Sequence, residues 1–366
     1  MRPTILRIST DAIAHNARVF RARIPSGVRM MCVIKANAYG HNSVRAAKKL
    51  LKAGAADAFA VAIVEEARTL REAGIEAPVL ILGGACEDSL REAVRLNVSQ
   101  AVYDTWMLDT MQDEAARSGI RAKAHLKLDT GMSRIGVRDA QALDRLLDHW
   151  KRCPDVAMEG VFTHFCVADT DPEFTEIQRQ RFVRGLEIIR AAGYSPIAHA
   201  AATSAMLDPN LQFDMVRPGI GLYGTGVPGL EGELRYAQRL TTRPIRIQRI
   251  AEGDTVGYGR TFTARRDSVI MTLPIGYGDG YPRLLSNRAS VLVRGKRAPQ
   301  VGRVCMDMIM ADITDILGVT LDDEVVLMGT QGEAVITPDE LAEQAETIPY
   351  EIMLGFGARV PVAHDD

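Results

Sequence analysis

Eight short apolar runs, most of them followed by an amphipathic segment, constrain the fold of this chain most strongly. An apolar strand that alternates with a segment of helical period is typical of a parallel sheet with helical crossovers. Eight such units in roughly 200 residues predict an α/β fold of the (β/α)8, TIM-like barrel type, with functional residues at the carboxyl ends of the strands. The runs span residues 28–34, 58–64, 79–82, 99–103, 122–128, 157–162, 196–198 and 213–216, of which the seventh is the weakest.

Helical segments are predicted between these runs, and glycines mark the ends of several. Gly54, Gly74, Gly119 and Gly193 follow four of them, at the position where a left-handed residue commonly ends a helix. The predicted helices span 43–52, 65–72, 88–96, 105–117, 140–150 and 174–192.

The pattern changes after a Gly- and Pro-containing segment at 226–232. Strand-like runs then lie at 245–250, 269–273, 289–293, 306–313 and 324–328, and one helix is predicted at 339–346. This predicts a mostly antiparallel β domain. We therefore expect three units: an N-terminal strand over 1–8 that packs with the C-terminal domain, a barrel over 9–232, and the β domain over 233–366.

Composition narrows the function. The 366 residues carry 44 Lys and Arg against 46 Asp and Glu, so a net charge of −2 gives no general attraction to nucleic acid or an acidic membrane. The five cysteines show no Cys-x-x-Cys spacing, which favours a reducing compartment and indicates neither a disulfide framework nor a metal site. No apolar stretch is long enough for a membrane span. We expect a cytoplasmic enzyme that acts on a small molecule.

Basic and titratable residues recur at the ends of the predicted barrel strands. A lysine held at such an apolar mouth has a lowered pKa and can form a Schiff base with a carbonyl compound. Glycines after the eighth run permit close approach of a phosphate, and Thr203 and Ser204 offer hydroxyls. An aldehyde and a phosphate on one ligand indicate pyridoxal phosphate. The strand-end residues are Lys35, Lys127, Arg134, His164, His199 and Arg217.

Seven motifs spread along the chain are those of one family. They are residues 35–40 (KANAYG), 125–134 (HLKLDTGMSR), 216–219 (VRPG), 257–259 (GYG), 276–280 (GYGDG), 302–308 (GRVCMDM) and 348–351 (IPYE). On these motifs the chain closely resembles the alanine racemases, pyridoxal-phosphate enzymes of fold-type III. The resemblance runs nearly end to end and implies a barrel followed by a β domain.

The resemblance implies a two-base reaction that interconverts L- and D-alanine and supplies D-alanine for peptidoglycan. Lys35 would bind the cofactor and act on the D face of the α-carbon, and Tyr258 of the partner subunit would act on the L face. Removing a proton from one face and returning one to the other requires two such groups. The active unit is therefore expected to be a homodimer with shared sites.

The resemblance also assigns the surroundings. Arg217 would face the pyridine nitrogen, His199 would orient Arg217, and His164 would lie near the cofactor ring. Arg134 would contact the cofactor phenolate and the substrate carboxylate, which Met306 of the partner subunit would also meet. The remaining roles fall to residues for phosphate binding, namely Tyr39, Tyr350, Gly219 and Ile220, and to residues of the corridor that admits substrate, namely Tyr277, Arg283, Arg303 and Ile348.

Two assignments stay open. The family commonly has a His, two small residues, Asn and Ser, whereas this chain reads HAAATSA over 199–205, so the phosphate hydroxyl is either Thr203, which we favour, or Ser204. Lys127 matches a lysine that is carbamylated in several relatives, and its alternative is an unmodified lysine paired with a nearby acid such as Asp129.

Three other functions compete with alanine racemisation. A broad-specificity or serine racemase would use the same groups, because one methylene or hydroxyl changes selectivity by only about 1–3 kcal/mol. A non-catalytic pyridoxal-phosphate-binding barrel would lack the second domain, which this chain has. A fold-type III decarboxylase normally pairs the ring nitrogen with an acid, and Arg217 argues against that.

Overall fold

A computed structural model describes residues 2–230 and 232–365 of the chain. Met1, Glu231 and Asp366, which fall at the predicted domain ends and in the predicted linker, lie outside the described residues. The limits of the three expected units therefore stay predictions, and the strands and helices are given below as the structure has them.

The first sheet contains eight parallel strands in the order β8-β7-β6-β5-β4-β3-β2-β9. This confirms the predicted TIM-like fold. The strands are β2 Arg29–Val33, β3 Ala58–Val61, β4 Val79–Ile81, β5 Ser99–Val102, β6 Ala122–Lys127, β7 Val156–Phe162, β8 Ile197–His199 and β9 Met215–Val216. The helical segments are α1 Thr10–Arg23, α2 Lys35–Tyr39, α3 Ser43–Lys52, α4 Val64–Glu72, α5 Glu87–Arg95, α6 Thr105–Ser118, α7 Ala140–Trp150 and α8 Pro172–Ala191.

The barrel closes between two short strands, β8 and β9. Between β8 and β9, the Arg217 N–H donates to the Ala201 carbonyl at 2.8 Å, and the Asp214 N–H donates to Ala198 at 3.0 Å. On the other side of β9, the Val33 N–H donates to Pro218 at 2.9 Å. These bonds place the segments that follow β2, β8 and β9 at one end of the barrel, so Lys35 and Arg217 share the same mouth.

The second sheet is mostly antiparallel, as predicted, with the order β11-β14-β17-β16-β15-β18-β10-β1-β20 and with β19 paired to β18. Its strands are β1 Ile5–Ser9, β10 Gln238–Thr242, β11 Arg246–Ile250, β14 Ser268–Leu273, β15 Ser290–Val293, β16 Lys296–Val301, β17 Ile309–Asp312, β18 Val325–Gln331, β19 Ala334–Ile336 and β20 Val362–Asp365. A separate hairpin joins β12 Thr255–Val256 to β13 Phe262–Thr263. The first strand, β1, pairs with β10 and β20 of this sheet.

Two helices complete the second domain, α9 Pro338–Gln344 and α10 Pro349–Gly355. The sequence predicted α9 but not α10, which begins with a proline in its first turn after Ile348. The predicted strand over 306–313 was wrong in its first half: residues 303–308 form a loop, and β17 begins only at Ile309. Among the described residues, no helix combines the length and apolarity that a membrane span requires.

Candidate active site

Lys35 begins a left-handed turn directly after the first barrel strand. Ala36, Asn37 and Ala38 have φ between 50° and 56° and ψ between 46° and 51°, and Tyr39 has φ 53°. A left-handed conformation costs about 1–2 kcal/mol for each residue with a Cβ, so four in succession need support from their surroundings.

Three side chains hold this turn. The Glu66 carboxylate of α4 accepts the Ala36 N–H with one oxygen and the Ala62 N–H at 2.7 Å with the other. The Asn37 side-chain oxygen accepts the Ser43 N–H at 2.9 Å. The buried His41 ring contacts two carbonyls of the turn through its Nδ1 atom, at 2.9 Å each. None of the four left-handed residues is glycine, so these hydrogen bonds hold the turn that positions Lys35.

Arg217 lies buried at the centre of the mouth. Its Nη1 atom donates to His199 Nδ1 at 2.9 Å, and its Nη2 atom donates to the carbonyls of Thr163 and Ala200 at 2.8 Å each. Burial lowers the pKa of Arg217 to about 9, so the guanidinium remains charged at neutral pH. The Phe162 ring stacks on His199 and supports the pair from one side.

The hydrogen bonds of Arg217 determine the protonation of two histidines. Since a guanidinium only donates, His199 Nδ1 accepts, and the neutral ring carries its proton on Nε2. That atom lies 2.8 Å from His125 Nδ1, which therefore accepts in turn. Burial and the charge of Arg217 lower the pKa of His199 well below its usual value and that of His125 to about 3, so both rings are neutral.

The charges of the other strand-end cations converge on the same mouth. Burial lowers the pKa of His164 to about 3, and the charges of Arg217, Lys127, Arg134 and Lys35 act in the same direction. Burial, followed by the Arg134 charge, also lowers the pKa of Lys35. The structure therefore brings together the basic groups that the sequence placed at strand ends, and it makes the free Lys35 amine more accessible at neutral pH than an ordinary lysine.

Lys127 ends β6 inside this group of cations. Burial and then the charges of Arg217 and Arg134 lower the pKa of Lys127 to about 7. Its Nζ atom donates to the Leu128 carbonyl at 3.2 Å and lies 4.9 Å from the centre of the Phe162 ring. Asp129 instead accepts the backbone N–H groups of Gly131 and Ser133, and no ion pair among the described residues joins it to Lys127.

A small cradle forms where the chain leaves β9. The Thr203 hydroxyl is buried and accepts the Gly219 N–H at 2.8 Å, whereas Ser204 is exposed. A Cβ atom on Gly219 would lie 2.9 Å from the Tyr39 hydroxyl, so only glycine leaves this space open. Tyr350, from α10 of the second domain, lies beside Tyr39 with ring centres 5.7 Å apart. Ile220 is buried at the start of the next turn.

The remaining predicted site residues lie on loops of the second domain and are exposed. Tyr258 is 71% exposed and Met306 53%. Among the hydrogen bonds, ion pairs and ring contacts of the described residues, none joins either of them to Lys35 or Arg217. The other exposed members of this group are Tyr277, Arg283, Arg303 and Ile348.

These loops are nevertheless tied to one another. The Tyr277 N–H donates to the Cys305 carbonyl at 3.0 Å, and the Gly278 N–H donates to the Met306 carbonyl at 2.8 Å. A Cβ on Gly259 would lie 3.3 Å from the Arg303 guanidinium, which places the Tyr258 turn beside the same segment. We call this surface, which comprises residues 257–260, 276–280 and 303–308, the loop face.

Ion pairs support the loop face from beneath. The buried Asp279 carboxylate pairs with Arg2 and, at 3.2 Å, with Arg359. Arg359 also donates to Asp307 at 2.6 Å, beside Met306. Asp279 further accepts the Gly276 N–H at 3.0 Å, so one carboxylate fixes the turn that carries Tyr277.

Three residues that organise the mouth were not predicted from the sequence: His125, Glu66 and Phe162. His125 lies two residues before Lys127 on β6, and the alternation of side chains along a strand could have placed both inside the barrel. No sequence pattern marks Glu66, because it acts by accepting backbone N–H groups. Phe162 looks like an ordinary core residue in the sequence.

Comparison with known proteins identifies the family. Residues 8–227 match the family model described as alanine racemase, N-terminal domain, and residues 237–364 match the one described as alanine racemase, C-terminal domain. The alanine racemase of Symbiobacterium thermophilum is 44% identical over 371 residues, covering 99% of this chain and 97% of the relative. Alanine racemase 2 of Caldanaerobacter subterraneus subsp. tengcongensis is 42% identical over 368 residues, covering 99% and 94%.

Solved structures show the same likeness across the whole chain. The alanine racemase of Streptomyces coelicolor A3(2) superposes with a TM-score of 0.93 at 30% identity, covering 100% of this chain and 98% of that one. The Bacillus anthracis alanine racemase, described with bound L-Ala-P, gives 0.91 at 35% identity, covering 100% and 96%. Both domains, in the same order and at nearly full length, make this chain a member of the alanine racemase family of amino-acid racemases.

Proposed function

We propose that this protein interconverts L- and D-alanine with pyridoxal phosphate bound at the barrel mouth. The observation that carries the proposal is the convergence of a lysine of lowered pKa, a buried arginine and a glycine cradle at the carboxyl ends of parallel strands. We propose alanine as the substrate because the relatives are named alanine racemases.

The residues of the mouth fit the cofactor. The space at Gly219 is one that a side chain would fill, and it is bounded by Thr203 and Tyr39. Because Thr203 Oγ1 accepts backbone N–H groups, its own proton is free to donate to a phosphate, and we therefore assign Thr203 rather than Ser204 to this role. Gly219, Ile220, Tyr39 and Tyr350 complete the proposed phosphate site.

Pyridoxal phosphate supplies an aldehyde for the amine and a ring that withdraws electrons from the carbon that loses its proton. Lys35 would hold the aldehyde and move the proton on one face, since its lowered pKa leaves more free amine at neutral pH. Arg217 would face the pyridine nitrogen, and His164 would help to hold the ring. Because a guanidinium donates hydrogen bonds and does not accept a proton, Arg217, fixed by His199, would leave that nitrogen unprotonated and so limit the electron withdrawal that the cofactor supplies.

The second proton-transfer group is Tyr258 of a partner subunit. Among the described residues, no hydrogen bond, ion pair or ring contact joins Tyr258 to the mouth, and the loop face exposes Tyr277, Met306 and Met308. A second copy that covers this face buries these side chains and completes each mouth with the partner's Tyr258. We infer a homodimer with two shared sites.

Substrate recognition divides between the two chains in the same way. Arg134 of the mouth, and Met306 contributed by the partner subunit, meet the alanine carboxylate. Arg134 is exposed and its charge already acts on Lys35. Tyr277, Arg283, Arg303 and Ile348 would form the corridor that admits substrate, and a narrow corridor would favour a small side chain.

Lys127 is the proposed site of carbamylation. The free amine reacts with carbon dioxide to give a carbamate and releases one proton, and a pKa of about 7 leaves a large fraction of free amine at neutral pH. The anion formed would fix Arg134, whereas Asp129 is already engaged by backbone N–H groups. Equilibration with ¹³C-labelled bicarbonate should give one carbamate carbon signal that is lost in Lys127→Gln, and its absence from the unsubstituted protein contradicts carbamylation.

The product places the enzyme in the supply of D-alanine for peptidoglycan. The five cysteines are unpaired, in keeping with a reducing cytoplasm. A bacterial strain that needs external D-alanine should grow without it when it expresses this chain, and should not when it expresses Lys35→Ala.

The decisive experiment measures both enantiomers by chiral chromatography after incubation of the holoenzyme with L-alanine or D-alanine. We expect the same equal mixture from either side, loss of turnover in Lys35→Ala together with the visible absorption of the lysine-bound cofactor, and no loss in the control Lys48→Ala on the exposed side of α3. A panel of amino acids in deuterated water tests the substrate. Faster α-proton exchange with serine or with longer side chains contradicts the assignment to alanine.

A further inference from the structure

A cluster of metal-ligating side chains lies on the outer helices of the barrel, apart from the mouth. Asp109 lies on α6, His149 lies near the end of α7, and Cys153 follows α7. One donor atom of each lies within 4.8 Å of the other two. We propose that Asp109, His149 and Cys153 form a binding site for a zinc-class divalent cation.

The chemistry of the three donors selects this class of metal. A thiolate and an imidazole together favour zinc and its neighbours over magnesium or calcium, which prefer oxygen ligands. His149 Nε2 and an Asp109 carboxylate oxygen form a direct hydrogen bond of 2.6 Å, which a bound cation would replace by a bond to each group. Three protein ligands leave a fourth tetrahedral position for water.

A turn at the end of α7 brings Cys153 back toward His149. Beyond the last helical residue, Trp150, the Arg152 N–H donates to the His149 carbonyl and the Cys153 N–H donates to the Trp150 carbonyl, at 2.9 Å each. On α6, Asp109 and Asp113 are four residues apart and lie one turn from each other. Asp113 lies near enough to Cys153 to act on its charge. Because the ligands come from two helices, the chain shows no compact metal-binding motif, and the sequence alone did not indicate the site.

Hydrogen bonds hold the Cys153 segment against α6. Gln112 donates to the Asp155 carboxylate at 2.6 Å and accepts the Asp155 N–H at 2.9 Å. The Trp150 indole donates to the Val156 carbonyl at 2.8 Å. These bonds fix the backbone that carries Cys153 against α6, so ion binding would require movement mainly of the three ligand side chains.

The ligands differ in their exposure to solvent. Cys153 is 3% exposed, whereas 59% of the Asp109 side chain is accessible. A cation can approach from solvent past Asp109 and reach the buried sulfur. Two carboxylates and a thiolate, with Arg152 as a nearby cation, would give the filled site a charge close to neutral.

Equilibrium dialysis of the holoenzyme against zinc, followed by elemental analysis, tests the stoichiometry. After treatment with a chelator, the unsubstituted protein should rebind one zinc per chain, and Cys153→Ser and His149→Gln should bind none. The matched control is Cys86→Ser, since Cys86 is an exposed cysteine elsewhere on the barrel and should leave the stoichiometry unchanged. Zinc retained by Cys153→Ser, or none bound by the unsubstituted protein, overturns the proposal.

Cobalt gives a second measurement that reports the ligands directly. Substitution with Co²⁺ should produce a sulfur-to-metal charge-transfer band, visible after subtraction of the cofactor absorption, and ligand-field bands of a tetrahedral site. Asp109→Asn alters an exposed side chain and should fold even if Cys153→Ser does not; it should weaken cobalt binding at least tenfold. Cobalt bound without a sulfur band, or with unchanged affinity in Asp109→Asn, also contradicts the site.

Discussion

The barrel mouth and the loop face differ in how much of their surroundings this chain supplies. At the mouth, Glu66 and His41 support the turn that begins at Lys35. The Arg217 guanidinium donates to His199 and to two backbone carbonyls, and a fourth group, His164 Nδ1, lies 3.5 Å away. On the loop face, Tyr258 and Met306 are mostly exposed although their backbone is well tied down. A well-bonded backbone beneath exposed side chains is what the proposed homodimer requires of this face, because in that dimer the partner subunit would supply Tyr258 and Met306 to the mouth.

The largest expected effect tests whether the two regions act across a dimer. Lys35→Ala and Tyr258→Phe should each lower racemisation by about 10²–10⁴-fold, because each removes a proton-transfer group. After subunit exchange, a mixture of the two inactive proteins should regain about one quarter of the unsubstituted activity, since half of the dimers are mixed and each has one intact site.

The matched control for this mixing experiment combines Lys35→Ala with Lys35→Gln. Both changes lie at the mouth, so no mixed dimer has an intact site and no activity should return. If Tyr258→Phe also fails to restore activity when subunit exchange is verified, Lys35 and Tyr258 do not belong to different chains.

Acid should lower the free energy of unfolding, because the barrel mouth buries histidines in their neutral form. Burial lowers the pKa of His41 to about 4 and that of His125 and His164 to about 3. The unfolded chain, with histidine pKa values near 6.5, then binds more protons below that pH. Stability is therefore full above about pH 6.5 and falls as pH decreases toward 4, by up to about 1.4 kcal/mol per pH unit for each histidine.

Urea unfolding followed by tryptophan fluorescence measures this loss in the barrel. Both tryptophans, Trp106 and Trp150, lie on barrel helices. His41→Asn removes one titrating ring and should reduce the pH dependence between pH 4.5 and 6 by about 1.4 kcal/mol per unit, whereas the control His15→Gln on α1 should not. An unchanged slope in His41→Asn means that this ring is not buried and neutral in solution.

A change beneath the loop face should affect substrate and spare the cofactor. Asp279→Asn removes the charge that pairs with Arg2 and Arg359 and so loosens the segments that carry Tyr277 and Met306. Because both arginines are partly exposed, we expect kcat/KM to fall by the equivalent of about 1–3 kcal/mol, mostly through a rise in KM. Cofactor affinity should stay the same.

The control for this prediction is Asp315→Asn, which breaks the exposed pair with Arg266 in the same domain and should leave both quantities unchanged. If Asp279→Asn weakens cofactor binding as much as it raises KM, the mouth and the loop face are not independent.

The sequence predicted the fold well because its pattern is local and repeated. All eight barrel strands lie within the predicted runs or shifted by one residue at an end, including the short β8 and β9. The conformation after β2 could not be predicted, since four left-handed residues with side chains contradict local preference and depend on Glu66 from a different helix. The strand predicted over 306–313 began too early, because the apolar Met306 and Met308 suggested burial in a sheet, whereas the structure leaves both exposed in a loop before β17.

The motifs predicted which residues lie in the candidate site better than they predicted which of these residues bond to each other. Lys35, His164, His199 and Arg217 were each placed at a strand end, and the structure brings them to one mouth. The alternative pairing of Lys127 with Asp129 rested on their nearness in sequence, but Asp129 turns back to its own loop. Such a choice depends on where a side chain points, which spacing alone does not fix.

The smallest expected effect tests the strain stored at the mouth. Ala36 is exposed and left-handed, with φ 50° and ψ 51°, so Ala36→Gly removes a steric penalty while losing no buried contact. It should raise the free energy of unfolding by about 0.5–1 kcal/mol, after the entropy that glycine costs. The exposed Ala116 of the right-handed α6 is the matched control, and Ala116→Gly should lower that free energy by about 1 kcal/mol. Opposite signs in urea unfolding support a left-handed turn in solution; equal destabilisation by both changes contradicts it, and with it the inference that Glu66 and His41 hold Lys35 against local preference.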